Sequence, residues 1–157
     1  MADVPHFALE TLDEVRAAGI EQLLERHYQE IAFYKDIPLE PDWDAYARIE
    51  AAGGLRIFTA RVAGELIGYC AYLISRNPHY KSSQQAKQDV LFVLPKHRHA
   101  RFGAHLILFS ERALRAEGVQ VTYQHSKASE DLDMTALLER LGYELVDTIW
   151  AKRLDRS

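Results

Sequence analysis

Between residues 93 and 106 the chain reads VLPKHRHARFGAHL. Lys96, His97, Arg98, His99 and Arg101 crowd between a β-type run and an apolar helical pattern, and Gly103 stands at the start of that pattern. Such a junction can bind an anion, because the first amides of a helix have no intrahelical acceptor. The backbone from about residue 98 to 103 can present those donors, Arg98 and Arg101 add charge, and Gly103 allows a bulky ligand to approach. Lys96, His97 and His99 widen the positive field. The same residues also read as an ordinary basic loop that starts a helix, so the surrounding elements must decide. Upstream, Asp89, Leu91 and Val93 alternate along the β-type run, which predicts one shared face with Gln88 on the other. Downstream, Tyr123 and His125 alternate near the end of a second β-type run, and Lys127 follows. His97 and His99 have no cysteine or carboxylate companions at ligand spacing, so no metal site is expected. Cys70 is the one cysteine; it lies in an apolar run and reads as a small buried hydrophobe.

The elements that must hold these residues are legible from periodicity. HFALETL reads as a first strand, and LDEVRAAGIEQLLERHYQEI as helix, with Gly19 interrupting or splitting it. PDWDAYARIEAAGG reads as a second helix, started near Pro41 or Asp42 and ended by its glycine pair. LRIFTARVAGELIGYCAYLIS is a hairpin turning at Ala63, Gly64 and Glu65, and RNPHYKSSQQ a polar connection. The strand AKQDVLFV leads into the basic junction, the helix ARFGAHLILFSERALRAEG and the strand VQVTYQH, a right-handed βαβ unit. SEDLDMTALLERLG reads as a last helix and YELVDTIWAKRL as a last, bent or broken strand. A hairpin beside a βαβ unit requires a mixed sheet with helices on both faces, an α/β fold of α+β character. Ligands of such sheets sit beyond the carboxyl ends of the strands, where the basic junction lies.

The 157 residues are enough for one domain spanning 1–157, and 48% apolar with 27% charged residues is ordinary for a globular protein. A net charge of −4 argues against a nucleic-acid partner. The opening MADVPHFALE lacks a basic segment followed by an apolar run, and no stretch has the roughly 20 apolar residues of a membrane span, so the chain reads as cytoplasmic.

This order of elements, with LFVLPKHRHARFGAHLI at its centre, resembles the GCN5-related N-acetyltransferase (GNAT) family over nearly the whole chain. That family carries a Q/R-x-x-G-x-G/A turn whose amides hold the pyrophosphate of acetyl-CoA. Here RHARFG puts Arg98 first, Gly103 last, and Arg101 where the family has its central glycine. An arginine at positive φ would be strained, so ordinary helical torsions are expected at Arg101. The resemblance implies a cofactor site at Val93, Arg98, His99, Ala100, Arg101, Phe102, Gly103 and Ala104, with Lys127 near the phosphates or the acceptor. It implies that the β-run ending at Val93 splays from its neighbour to receive the pantetheine arm. It implies N-acetylation by direct attack of an amine on the thioester. An ammonium must first lose a proton, which makes Asp89 the base candidate and His125 the next chemical candidate. The tyrosine that protonates the thiolate in many members is replaced by Leu138; Tyr143 matches the aromatic of an LGF-like sequence instead.

On the acceptor side, His27, Tyr28, Glu30, Phe33, Tyr34 and Asp36 offer aromatic walls and acids, whereas Arg76, His79, Tyr80 and Lys81 offer the opposite charge. A small-molecule amine and a protein amine both remain open. A noncatalytic acyl-CoA-binding protein of the same fold is the alternative, and a nucleic-acid-directed transferase a weaker one. The run YELVDTIWAKRL also offers a strand for a homodimer.

Overall fold

A computed structural model describes residues 4–156. In chain order it contains β1 (His6–Glu10), α1 (Leu12–Ala17), α2 (Ile20–Ile31), α3 (Trp43–Ala51), β2 (Leu55–Val62), β3 (Glu65–Asn77) and β4 (Tyr80–Val93). A 3₁₀ turn (Pro95–Ala100) leads into α4 (Phe102–Ala116). Then come β5 (Val121–Tyr123), a second 3₁₀ turn (Glu130–Leu132) and α5 (Thr135–Arg140).

Local chemistry sets the boundaries. Thr11 and Glu14 form a reciprocal capping box that starts α1. Gly19, at φ 85°, breaks the long amphipathic run into α1 and α2. Asp42 accepts from the Ala45 amide at 2.8 Å and starts α3. Ala63 and Gly64 both take positive φ, the turn that suits the right-handed twist of a tight hairpin between β2 and β3.

The strands form one sheet in the order β1-β2-β3-β4-β5. The pairs are antiparallel except β4–β5, which is parallel. This is the mixed α/β fold that the sequence implies. One sheet face packs on α1–α3 through Ile57, Tyr69, Ala71 and Phe92. The other packs on α4 through Phe58, Cys70, Tyr72 and Leu106. Cys70 is fully buried, and burial pushes its thiol up to about 12, which fits a packing role.

Two expectations about elements fail. The polar stretch 76–85 is not a connection: β3 and β4 continue through it as a long hairpin, pairing Ser75 with Gln85 and Arg76 with Gln84. Backbone pairing needs no apolar side chains, so an exposed extension of a hairpin carries little hydrophobic signal. The apolar run 143–154 is not a strand within this chain. It is irregular and pairs with no strand among the described residues, with Leu145, Ile149, Trp150 and Leu154 at 79–91% exposure.

Candidate functional site

The gap beside β4 is set by where its pairing stops. The parallel ladder with β5 covers only Gln85–Lys87 against Val121–Tyr123. Beyond it β4 runs on to Val93, held on its other edge by β3, with Gly68 opposite Val93. The Gln88 carboxamide enters the opening and accepts from the His125 amide at 2.9 Å. Beyond Lys87 the β4 edge from residue 89 to 93 has no strand partner on that side among the described residues. Gly68 is required for this geometry: a Cβ there would stand 2.8 Å from the Phe92 carbonyl oxygen and 3.0 Å from Val93 Cγ2.

The turn after Val93 differs from its sequence reading in two respects. Arg101 does not have helical torsions; it sits at φ 59°, ψ 23°, in the left-handed region. The position therefore does need what a glycine would supply without strain, and an arginine there costs about 1–2 kcal/mol. Its carbonyl accepts the first α4 bond, from His105 at 3.1 Å, and its own amide is taken by the Arg98 carbonyl at 3.2 Å. The first-turn amides of Phe102, Gly103 and Ala104 precede that bond, and no side chain caps them. A Cβ on Gly103 would meet only Val93 Cγ2, at 3.9 Å, so the space over it is not filled by the protein.

Arg98, read as a phosphate ligand, is otherwise engaged. Its Nε donates to the Val93 carbonyl at 2.8 Å and its two NH groups grip Glu30 at 2.6 and 2.8 Å. Its guanidinium also lies 5.4 Å from the centroid of Phe92. The Glu30 carboxyl is held below its ordinary range first by that hydrogen-bonded guanidinium. Arg98 thus ties the turn, the end of β4 and α2 together. His97 is buried and stacked on Phe102, whereas His99, His125 and Lys127 are exposed.

Asp89 lies on a different face from the one expected. The β3–β4 register pairs Ala71 with Val90 but Tyr72 with Gln88, so Asp89 is an unpaired bulge residue. The bulge puts Asp89 and Val90 together on the α1–α3 face, while Leu91 joins the α4-side core. Asp89 Oδ2 accepts from the Tyr46 hydroxyl of α3 at 2.6 Å. Burial, then the carboxylate beside it, pushes the Tyr46 phenol well up, so it remains a donor. Tyr46 carried no signal in PDWDAYARIE, because its partner lies 43 residues away.

Asp89 stands at the polar end of a cavity of about 440 Å³ between α1–α3 and the sheet. Tyr28, Phe33 and Tyr34, read as acceptor-side residues, line it; His27, Glu30 and Asp36 do not. His27 is buried, bonded through Nδ1 to Tyr69 Oη at 2.9 Å and stacked on Phe92. Burial lowers its pKa to about 4, so it is neutral near pH 7. Leu138 offers no proton, and the Tyr143 hydroxyl donates to Glu111 of α4 at 2.6 Å, a packing role. Among the described residues no His, Cys, Asp and Glu cluster could hold a metal, and no helix is long and apolar enough to cross a membrane.

Comparison with known proteins fits this arrangement. Residues 18–143 match the acetyltransferase (GNAT) family. No curated protein matches significantly in sequence. Solved structures match in fold. A transcriptional regulator from Bacillus halodurans is 14% identical with a TM-score of 0.76, over 96% of this chain and 100% of that one. Glucosamine-6-phosphate N-acetyltransferase from Arabidopsis thaliana is 13% identical with a TM-score of 0.70, over 98% and 100%. AAC(6')-Iy, solved with a bisubstrate analog of CoA and acetylneamine, is 19% identical with a TM-score of 0.68, over 96% and 97%.

Proposed function

The chain belongs to the acetyltransferase (GNAT) family, and from that premise we propose that it is an acetyl-CoA-dependent N-acetyltransferase acting by direct attack of a primary amine. The observation that carries this reading is the β4 edge that outruns its parallel partner and ends at an uncapped helix N-terminus. A pantetheine arm can pair with the backbone of residues 89–93 as an added strand. The pyrophosphate then meets the first-turn amides of Phe102, Gly103 and Ala104, where the helix dipole favours negative charge. His99 and Lys127 are exposed and able to approach the cofactor's phosphates, and Arg98 acts by holding the turn against Val93 and Glu30.

The acceptor amine loses its proton to Asp89, directly or through water, with Tyr46 orienting the carboxylate through Oδ2. The neutral nitrogen attacks the thioester carbonyl; as the C–S bond breaks, the nitrogen sheds its second proton to water, and the amide and the CoA thiolate separate. The thiolate takes up one proton, and His125, exposed just past β5, is the group we assign to deliver it. We read the chain as a single domain acting on a small-molecule or protein amine.

Asp89→Asn tests the assignment. Its kcat/KM should fall of the order of 100-fold, most steeply at pH values where the amine is protonated, with acetyl-CoA affinity unchanged. Identical rates and pH profiles in the folded variant would remove Asp89 as the base. A protein that binds acetyl-CoA yet turns over no amine would be a noncatalytic acyl-CoA binder instead.

A further inference from the structure

The cavity on the α1–α3 side has a composition that discriminates among amines. Its walls come from Leu24 of α2, Ile37 of the α2–α3 loop, Trp43 and Tyr46 of α3, and Ile57 and Tyr69 of the sheet. Among the residues that line it, only Asp89 and Glu40 carry charge, and both are exposed. About 440 Å³ is within the range that encloses a ring-bearing small molecule. The loop wall is braced: the Tyr28 hydroxyl lies 2.8 and 2.5 Å from the carbonyls of Lys35 and Ile37 and shares its one proton between them, and Arg153 pairs with Asp36 at 2.8 Å. At the exposed rim, Tyr46 occupies Asp89 Oδ2, and Oδ1 makes no hydrogen bond among the described residues.

From this juxtaposition we infer that the acceptor is a monoamine with an apolar, ring-sized body, its ammonium on Asp89 Oδ1 and its body between Trp43, Leu24 and Ile57. The inference rests on the N-acetyltransferase reading for its consequence but concerns binding alone. The carboxylate fixes the ammonium at the solvent-facing rim, and most of the discrimination comes from the apolar walls. The aromatic walls bury the apolar body. Apart from Glu40, the walls offer no charged partner to the further ammonium or hydroxyl groups of a polyamine or an amino sugar lying against Ile37, Leu24 and Trp43, which opposes binding. The acceptor class therefore differs from the polyhydroxylated amines of the glucosamine and neamine type.

Calorimetry with acetyl-CoA present tests this, using 2-phenylethylamine and tryptamine against spermidine and kanamycin. The apolar amines should bind at least tenfold more tightly than either polar probe. Trp43→Ala and Asp89→Asn should each weaken 2-phenylethylamine at least tenfold. Ile37→Lys, at a half-exposed wall position that leaves the core intact, should do the same and guards against a misfolded Trp43 variant. Polar probes that bind as tightly as the apolar ones, or undiminished binding in folded Ile37→Lys, would overturn the inference. Thiol release measured on the same amines separates it from the reaction: apolar amines that bind without releasing CoA would sustain the cavity's preference and contradict the transferase reading. Rapid acetylation of kanamycin or spermidine in preference to them would do the reverse.

Discussion

Single residues here depart from what their neighbours in sequence predict, and each departure has a measurable consequence. Arg101 occupies a left-handed conformation that only a side-chain-free residue adopts without strain. Arg101→Gly should therefore raise unfolding stability by about 1 kcal/mol, even after the entropy that glycine adds to the unfolded chain. Urea denaturation reads this directly, and a loss of stability would mean that the arginine side chain contributes more than its torsions cost. His27 offers a second test. Its folded pKa of about 4 lies below the ordinary 6.5, so the unfolded chain binds its proton first as pH falls. Stability from this group is complete above pH 6.5 and declines towards pH 4, by something of the order of 3 kcal/mol. His27→Gln keeps an acceptor for Tyr69 and should flatten that part of the stability–pH curve; an unchanged slope would place the proton elsewhere. Asp89 shows what pattern reading can and cannot reach. Its residue type and its place on β4 marked it, but strict alternation put it on the wrong face. A bulge adds one residue without altering composition, so nothing local announces it.

At the level of elements, the junction from β4 to α4 was legible because a β-rich run, a proline, a basic turn and an apolar helix follow each other without a gap. What braces it was not, since Glu30 lies 68 residues from Arg98. The brace changes the meaning of the arginine. If Arg98 bound phosphate by charge, Glu30→Gln would free it and tighten acetyl-CoA binding. In this structure Arg98 positions the turn, so Arg98→Ala and Glu30→Gln should both weaken binding, by a few-fold each. Titration of acetyl-CoA into the two variants separates the cases by the sign of the Glu30 effect. Gly68 makes a companion prediction. A methyl group there collides with the Phe92 carbonyl and Val93, and β4 must move to admit it. Gly68→Ala should cost about 1–3 kcal/mol of stability, the usual penalty of overpacking, and shift the end of β4. Unaltered thermal unfolding would show that the two strands approach less closely.

Across the whole molecule, the hydrophobic pattern identified both faces of the sheet, and the family resemblance named the architecture. The run from 145 to 154 misled because its large apolar residues are exposed and pair with no strand among the described residues. Leu145, Ile149, Trp150 and Leu154 stand exposed on an irregular segment, and β5 is one of the two outer strands of the sheet. Apolar surface of this kind favours association, and an unpaired segment can add to a sheet edge. We expect the protein to sediment as a homodimer, and Ile149→Lys with Trp150→Lys to yield a monomer; a monomeric wild type at tens of micromolar would refute this. In the proposed complex acetyl-CoA lies along the free edge of β4 with its pyrophosphate on the first turn of α4. Gly103 decides it, because the protein leaves the space above that residue open and its torsions need no glycine. Gly103→Val should fold with stability close to wild type, since only Val93 Cγ2 is near. Calorimetric titration with acetyl-CoA should then show an at least tenfold loss of affinity against wild type. A folded Gly103→Val that binds acetyl-CoA as tightly as wild type would contradict the account.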